Sequence, residues 1–272
     1  MVNNNYSGKD LHFHHLREAS PMPSSFTMHT HERYEIFLFL AGKASFMVEG
    51  TPYSLKPNDM MIFNSTEAHK IEVSPNEPYE RVVIELNKNI FSEFDPNGEL
   101  DKPFTSRPLG QCNKLCPTDF RDTSWKQYIM KIVDSDKNDI ITIYSGLFSL
   151  LNEIRFAFSN QQSSIVLGSE NTAVRIINYI NANISGDITP ESIAKEFYIS
   201  RSQLYYIFKK SIGSSVWDYI TTKRLFLAKQ MMLTGEKPTD VYQKCGFKEY
   251  TAFFRAYKNK FGSSPKNDIK NK

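Results

Sequence analysis

SQLYYIFKKSIGSS, residues 202–215, returns in outline 49 residues later as TAFFRAYKNKFGSS, residues 251–264. Leu204 corresponds to Phe253, Phe208 to Tyr257, Lys209 to Lys258, Ile212 to Phe261 and Gly213 to Gly262. Each copy follows a short amphipathic stretch and a turn, ESIAKEFYIS (191–200) and TDVYQKCGFKE (239–249). The repeat unit is therefore helix, turn, helix, present twice.

The first copy carries its own punctuation. Thr189-Pro190 supplies a capping hydroxyl and a proline at the first helical position. Ser200 with Gln203 three residues on predicts a capping box, and Gly213 ends the helix. Ile193, Ala194, Phe197, Leu204, Ile207, Phe208 and Ile212 fall on the inward faces. Between the copies, SSVWDYITTKRLFLAKQMMLTG (214–235) reads as one helix with Val216, Ile220, Leu227 and Met231 in a stripe. About 20 helical residues span roughly 30 Å. Successive major-groove faces of B-DNA repeat at roughly 34 Å, so one rigid helix can hold two reading helices a turn apart.

Charge points the same way. Residues 170–272 hold 17 Lys and Arg against 9 Asp and Glu, a net +8, whereas the preceding part carries −5. A basic back half suits a polyanion. The expected DNA-facing residues are Arg201, Ser202, Gln203, Tyr205, Tyr206, Lys209 and Lys210 in the first copy. In the second they are Tyr250, Thr251, Phe254, Arg255 and Lys258, with Phe254 open to either a reading or a core role. Arg255 is the base reader able to grip guanine bidentately. The lysines suit phosphates, and the aromatic residues suit an A/T-leaning site.

The front half has a different texture. The runs EIFLFL, ASFMV, MMIF, KIEV and RVVIEL are separated by Gly42, Gly50, Pro57-Asn58, Asn64-Ser65 and Pro75-Asn76. Turn signals at this spacing predict a β-sandwich or barrel. Residues 119–134 and 139–160 then turn helical, with Ile140, Ile143, Tyr144, Leu147, Leu150, Leu151 and Ile154 in one wide stripe that either caps the barrel or pairs with a second subunit, the second being favoured by its width. SNQQSSIVLGSE (159–170) contains the expected linker, residues 161–169. This divides the chain into a barrel with dimerisation helices (1–160) and an all-helical part (170–272).

Residues 174–265 resemble the DNA-binding domain of the AraC/XylS family of bacterial transcription regulators. The resemblance rests on Ile193-Ala194, Phe197, Ser200, Leu204, Phe208-Lys209, Gly213, Tyr219-Ile220, Arg224 and Ala228. It continues through Gly246-Phe247, Phe253, Arg255, Lys258, Gly262 and Ser264-Pro265. Tyr242 and Pro238 depart from it, standing where alanine and an aliphatic residue are usual. The resemblance implies two recognition helices in the major groove, with double-stranded promoter DNA, a second copy of the chain, a small-molecule effector and RNA polymerase as partners.

His29, His31 and Glu35 share parity, so one extended strand would aim all three to one face, and His69 opens a later strand. Three imidazoles and a carboxylate would suit a divalent transition metal. His-x-His-x-x-x-Glu followed by Gly42 resembles the first cupin motif. Asn58, Asn64, Thr66 and His69 fall at the spacing of the second, with the first three replacing its usual Gly, Pro and Gly. The expected fold is thus α+β in two domains, a cupin-like β-barrel with following helices and an all-α double helix-turn-helix. The expected effector pocket is His29, His31, Glu35 and His69, walled by Phe13, Phe37 and Phe39. No nucleophile, paired acid or phosphate loop accompanies them, so a regulator is expected and not an enzyme. The competing reading is a metal-dependent cupin enzyme fused to a DNA-binding module. Three cysteines, no signal-peptide pattern and short apolar runs predict a cytoplasmic protein with no membrane partner.

Overall fold

A computed structural model describes residues 2–21, 29–75, 77–91, 95, 97–162 and 172–270. The chain forms two compact units, Met1–Ser169 and Glu170–Lys272. Most of the expected linker, from residue 163 onward, lies outside the described residues.

The strands of the first unit are β1 (Val2–Ser7), β2 (Leu11–Glu18), β3 (Tyr34–Ala41), β4 (Ala44–Val48), β5 (Thr51–Ser54), β6 (Met60–Phe63), β7 (His69–Val73), β8 (Tyr79–Leu86) and β9 (Lys114–Leu115). They make two antiparallel sheets, ordered β1-β2-β8-β3-β6-β9 and β5-β4-β7. All five apolar runs of the sequence fall on strands, and β3, buried on both faces, shares the centre of the larger sheet with β8. Between the sheets lie Phe37, Phe39, Met61, Phe63 and Tyr79 from the larger and Ala44, Phe46, Val48, Ile71 and Val73 from the smaller.

The larger sheet turns its other face to helices. After a short α1 (Lys102–Thr105) come α2 (Ser124–Val133) and α3 (Ile140–Gln162). Helix α2 starts five residues later than the sequence pattern predicts. A 3-10 turn at Pro117–Asp119 precedes it, and the Asp122 carboxylate accepts the Ser124 amide at 2.7 Å. Most of the α3 stripe, expected to pair with a second subunit, is covered within the unit instead, with Ile140 exposed and Tyr144 partly so. Ile143, Leu147, Leu150, Leu151 and Ile154 are sealed in one core with Trp125, Ile129 and Ile132 of α2 and Ile36, Leu38, Val82 and Ile84 of the sheet. A wide stripe is what a helix needs when it touches both a sheet and a neighbouring helix.

The second unit is all helical: α4 (Thr172–Ala182), α5 (Pro190–Glu196), α6 (Arg201–Ser211), α7 (Val216–Leu233), α8 (Pro238–Lys244), α9 (Tyr250–Phe261) and α10 (Pro265–Lys270). The caps form as the sequence predicts. Thr189 accepts the Ser192 amide, and Ser200 and Gln203 close a reciprocal capping box. Helices α5–α6 and α8–α9 are the two helix-turn-helix units, and α7 packs against α6, α8 and α9. Its 18 residues are roughly 27 Å long. Pro238 takes the first position of α8, which has no side-chain cap, and Tyr242 is accommodated edge-on against Tyr250 at 5.6 Å.

Arg224 ties this unit together. Buried on α7, it donates to the carbonyls of Ile184 at 2.9 Å and Gly186 at 2.7 Å, in the loop between α4 and α5. Gly246, at φ +84°, lies so near that a Cβ there would meet the guanidinium carbon at 2.8 Å. Gly213 has a similar φ of +81° but open space around it. Gly213→Ala should therefore lose about 1 kcal/mol, the cost of left-handed backbone alone. Gly246→Ala should lose at least twice as much, because the fixed guanidinium must also move. Urea denaturation followed by helical circular dichroism compares them, and equal losses would contradict the assignment.

Candidate functional site

The inner face of the larger sheet is built in rows. Glu35 on β3 is the register partner of Glu85 on β8 and Phe63 on β6. The next row on that face is Phe37 with Val83 and Met61, and the next pairs Phe39 with Arg81. On β2, His12, His14 and Leu16 continue these rows opposite Glu85, Val83 and Arg81. A cavity of about 520 Å³ opens over this face, lined by His14, Leu16, Glu18, His29, Glu35, Phe46, His69, Ile71, Arg81, Val83 and Glu85.

Four of the expected pocket residues converge. His29, His31, Glu35 and His69 each offer one donor atom, all within 4.8 Å of one another. Nε2 of His31 stands 2.8 Å from the Glu35 carboxylate, and Nε2 of His69 stands 3.6 Å from the same oxygen. The Nδ1 atoms of these two rings donate to backbone carbonyls, His31 to Arg33 at 2.8 Å and His69 to Glu67 at 2.9 Å. The Phe63 ring stacks on His69 with centroids 4.1 Å apart. Burial by itself would raise the Glu35 pKa, but its histidine contacts hold the carboxyl well below the usual range. Burial opposes charge on His31 too, and the hydrogen bond to Glu35 overcomes it and raises the imidazole pKa.

The convergence does not arise from one strand. Strand β3 begins only at Tyr34, and His29 is held by an isolated antiparallel bridge to His69, with amide–carbonyl bonds of 3.0 Å in both directions. Residues 32–33 bend between them, closed by the His31–Arg33 contact. Two turn positions that depart from the cupin pattern keep left-handed backbone, Asn58 at φ 73° and Thr66 at φ 71°. Asparagine tolerates this, whereas β-branched threonine is strained there. The Thr66 amide donates to the His31 carbonyl at 2.8 Å, which joins the two halves of the cluster.

The aromatic walls need correction. Phe13 lies on the opposite face of β2 from His14, in the core shared with the helices, because neighbouring strand residues point to opposite sides. Phe37 and Phe39 share the Glu35 face but are fully buried in the core between the sheets. Phe46 packs edge-on to Phe37 at 4.9 Å, and the Arg81 guanidinium stands 5.8 Å from the same ring. Arg81, His14, Glu18 and Glu85 are the polar lining residues that sequence reasoning missed, beside the apolar Leu16, Phe46, Ile71 and Val83. Strand parity in RVVIEL and in HFHH was the available signal, but only the register brings the rows together.

A buried ion pair supports the loop that carries His69. Glu67 and Arg107 meet at 2.7 Å with no side-chain exposure on either. Glu67 also accepts the amides of Asn64 and Gly110 and the Asn113 carboxamide. Burial would raise the Glu67 pKa, and the Arg107 charge overrides it and leaves it lowered.

In the second unit, Arg201, Ser202, Gln203, Tyr205, Tyr206, Lys209 and Lys210 are exposed on α6. Gln203 spends its carboxamide oxygen on the Ser200 amide, and Arg201 pairs with Glu191 at 3.0 Å. On α9, Thr251, Phe254, Arg255 and Lys258 are exposed, and Tyr250 is half-buried. Phe254 is thus outside the core, and with Tyr250, Thr251 and Arg255 it lines a shallow recess. Sequence reasoning missed Tyr198, almost wholly exposed in the α5–α6 turn. Among the described residues no helix is long and apolar enough to cross a membrane.

A ligand-sized cavity in a β-rich unit and a doubled helix-turn-helix define a DNA-binding transcription regulator with a ligand-binding domain. A family model described as an AraC-like ligand binding domain matches residues 15–112, and one described as a helix-turn-helix domain matches residues 193–271. Together they match more than half of the chain, which belongs to the AraC/XylS family of transcriptional regulators. Similar proteins include the probable transcriptional regulator LumQ of Photobacterium leiognathi, 24% identical over 90% of this chain and 92% of that one. The lactose operon transcription activator of Staphylococcus xylosus is 25% identical over 81% of this chain and 77% of its own. The HTH-type transcriptional activator RhaS of Escherichia fergusonii is 22% identical over 89% and 87%.

Arg107→Ala leaves Glu67 charged and buried without its partner. It should destabilise the first unit by about 3 to 5 kcal/mol. Urea denaturation followed by near-UV circular dichroism measures this, and a loss under about 1 kcal/mol, the scale of a surface pair, would contradict it. On the DNA side, Arg255→Ala should cost about 1 to 3 kcal/mol at one base position and relax its preference. Lys209→Ala should weaken all sequences alike and reduce the salt slope by about 1. Fluorescence anisotropy against single-base operator variants at several salt concentrations separates the two effects. Equal loss of specificity from both substitutions would refute this division of roles.

Proposed function

We propose that the protein is a sequence-specific regulator whose first unit senses a small molecule and thereby alters the affinity of its second unit for promoter DNA. The observation that carries this reading is the cavity of about 520 Å³ with polar groups converging on it. Its size lies within the range of about 300 to 1,000 Å³ typical of small-molecule sites. Ligand control requires that the effector bind one state of the protein more tightly than the other. His29, Glu35 and His69 are its polar anchors, with His31 bonded to Glu35 and with Arg81 and His14 on the same lining. Readout falls to Ser202, Tyr205 and Tyr206 on α6 and to Thr251, Phe254 and Arg255 on α9. Lys209, Lys210 and Lys258 meet phosphates.

Family resemblance supports a homodimer and a contact with RNA polymerase. Three free cysteines fit a reducing, cytoplasmic setting. The enzyme reading has less support, since the relatives described above are transcriptional regulators.

The test is a thermal-shift screen of sugars and organic acids, followed by DNA binding to the segment upstream of the protein's own gene. A compound that raises the melting temperature should change DNA affinity by at least about tenfold, the scale of an allosteric coupling. Val83→Trp, which fills the cavity, should abolish the response. A compound that binds in the cavity at saturation and leaves DNA affinity unchanged would refute the reading. Turnover of the compound would favour an enzyme.

A further inference from the structure

The four-residue cluster is unusual in its bookkeeping of protons. The Nδ1 atoms of His31 and His69 face carbonyl oxygens, which can only accept, so both carry hydrogen. In the neutral rings the two Nε2 atoms are then lone pairs. Both aim at one oxygen of Glu35, itself an acceptor. Nε2 of His69 is buried and has no hydrogen-bond partner among the described residues, and its residue is 1% exposed. Glu85 faces Glu35 across the strands, which sets two carboxylates side by side on one wall. Like charges directly opposite repel. An added proton satisfies one such pair at a time. One cation among the four satisfies all of them together.

We propose that His29, His31, His69 and Glu35 bind a single divalent transition-metal ion, and that this ion is part of what the first unit senses. The second half of the proposal rests on the sensor reading above, and the first does not. Three imidazole nitrogens and one carboxylate oxygen suit zinc, nickel, cobalt, iron or manganese. In an octahedral set, donors about 2.1 Å from the ion stand about 3.0 Å apart when adjacent and about 4.2 Å apart when opposite, and in a tetrahedral set about 3.4 Å apart. The separations of 2.8 Å and 3.6 Å bracket the adjacent value. The largest, within 4.8 Å, needs closing by about half an ångström if that pair is opposite in an octahedral set. The supporting contacts are those of a ligand set. Two of the imidazoles donate their other N–H to the backbone, which fixes the ring and leaves Nε2 free to ligate. The ion would face the cavity, because Glu35, His29 and His69 line it.

The full-length protein, made without a histidine tag and stripped with chelator, is titrated with Co(II) while its visible absorption and heat of binding are followed. One equivalent should bind with the absorption of an imidazole–carboxylate site. His29→Ala removes an exposed ligand and should leave the fold intact by circular dichroism, and His69→Gln removes a buried one. Either should weaken binding by more than the roughly 10- to 100-fold that loss of a supporting contact costs. Failure to bind one equivalent, or binding unchanged in both variants, overturns the metal site. If metal fails but an organic compound still shifts DNA affinity, the site falls and the sensor reading stands. If one equivalent binds and is lost in the variants, the site stands. An unchanged DNA affinity with and without the ion would then overturn its part in sensing.

Discussion

Glu67 and Arg107 face each other out of reach of water, and the cavity end of the first unit is organised around them. Removing two charges from solvent costs several kcal/mol each, and the pair alone does not repay it. The surrounding bonds do. Arg107 donates to the carbonyls of Pro103, Ile62 and Gln111, and Glu67 gathers amides from both sides of its loop. The Glu67 carbonyl is also the acceptor that orients His69. A second buried carboxylate, Glu49, accepts the amide of Ala68 at 2.7 Å. The turn that presents His69 is therefore held from both sides by buried charge, which is what a strained residue such as Thr66 requires to persist.

Arg224 plays a comparable part in the second unit. It is a buried cation with no carboxylate partner in its hydrogen bonds, satisfied by two loop carbonyls instead. That contact ties α7 to the loop before the first helix-turn-helix, and Gly246 leaves room for it beside the second. The two reading helices are thus referred to one rigid helix through packing and a single fixed guanidinium. A loose bundle with the same surface charges would not fix the two helix-turn-helix units relative to each other.

Much of this was legible in the residues. The 49-residue offset and the capping box at Ser200 are local, and local patterns survive folding unchanged. The apolar runs KIEV and RVVIEL, bounded by turn residues, likewise predicted strands. What escaped was what depends on register or on distant partners. Arg81 and Glu85 enter the cavity because β8 pairs between β2 and β3, and nothing near them in the chain says so. Strand β1 is polar and gave no hydrophobic period. The α3 stripe showed its width but not what covers it. The histidines were found for the right side-chain chemistry and the wrong backbone, since a bend and a bridge, not a strand, bring them together. Asn58 and Thr66 looked like departures from a glycine pattern, yet the backbone kept its left-handed turns at both.

Buried charge holds the His69 loop rigid. Native-state amide exchange tests it most directly. The amides of Asn64, Ala68 and Gly110, which donate to Glu67 and Glu49, should exchange only as slowly as the central amides of β3 and β8. Exchange of those three at the rate of exposed loops, with β3 and β8 still protected, would contradict it.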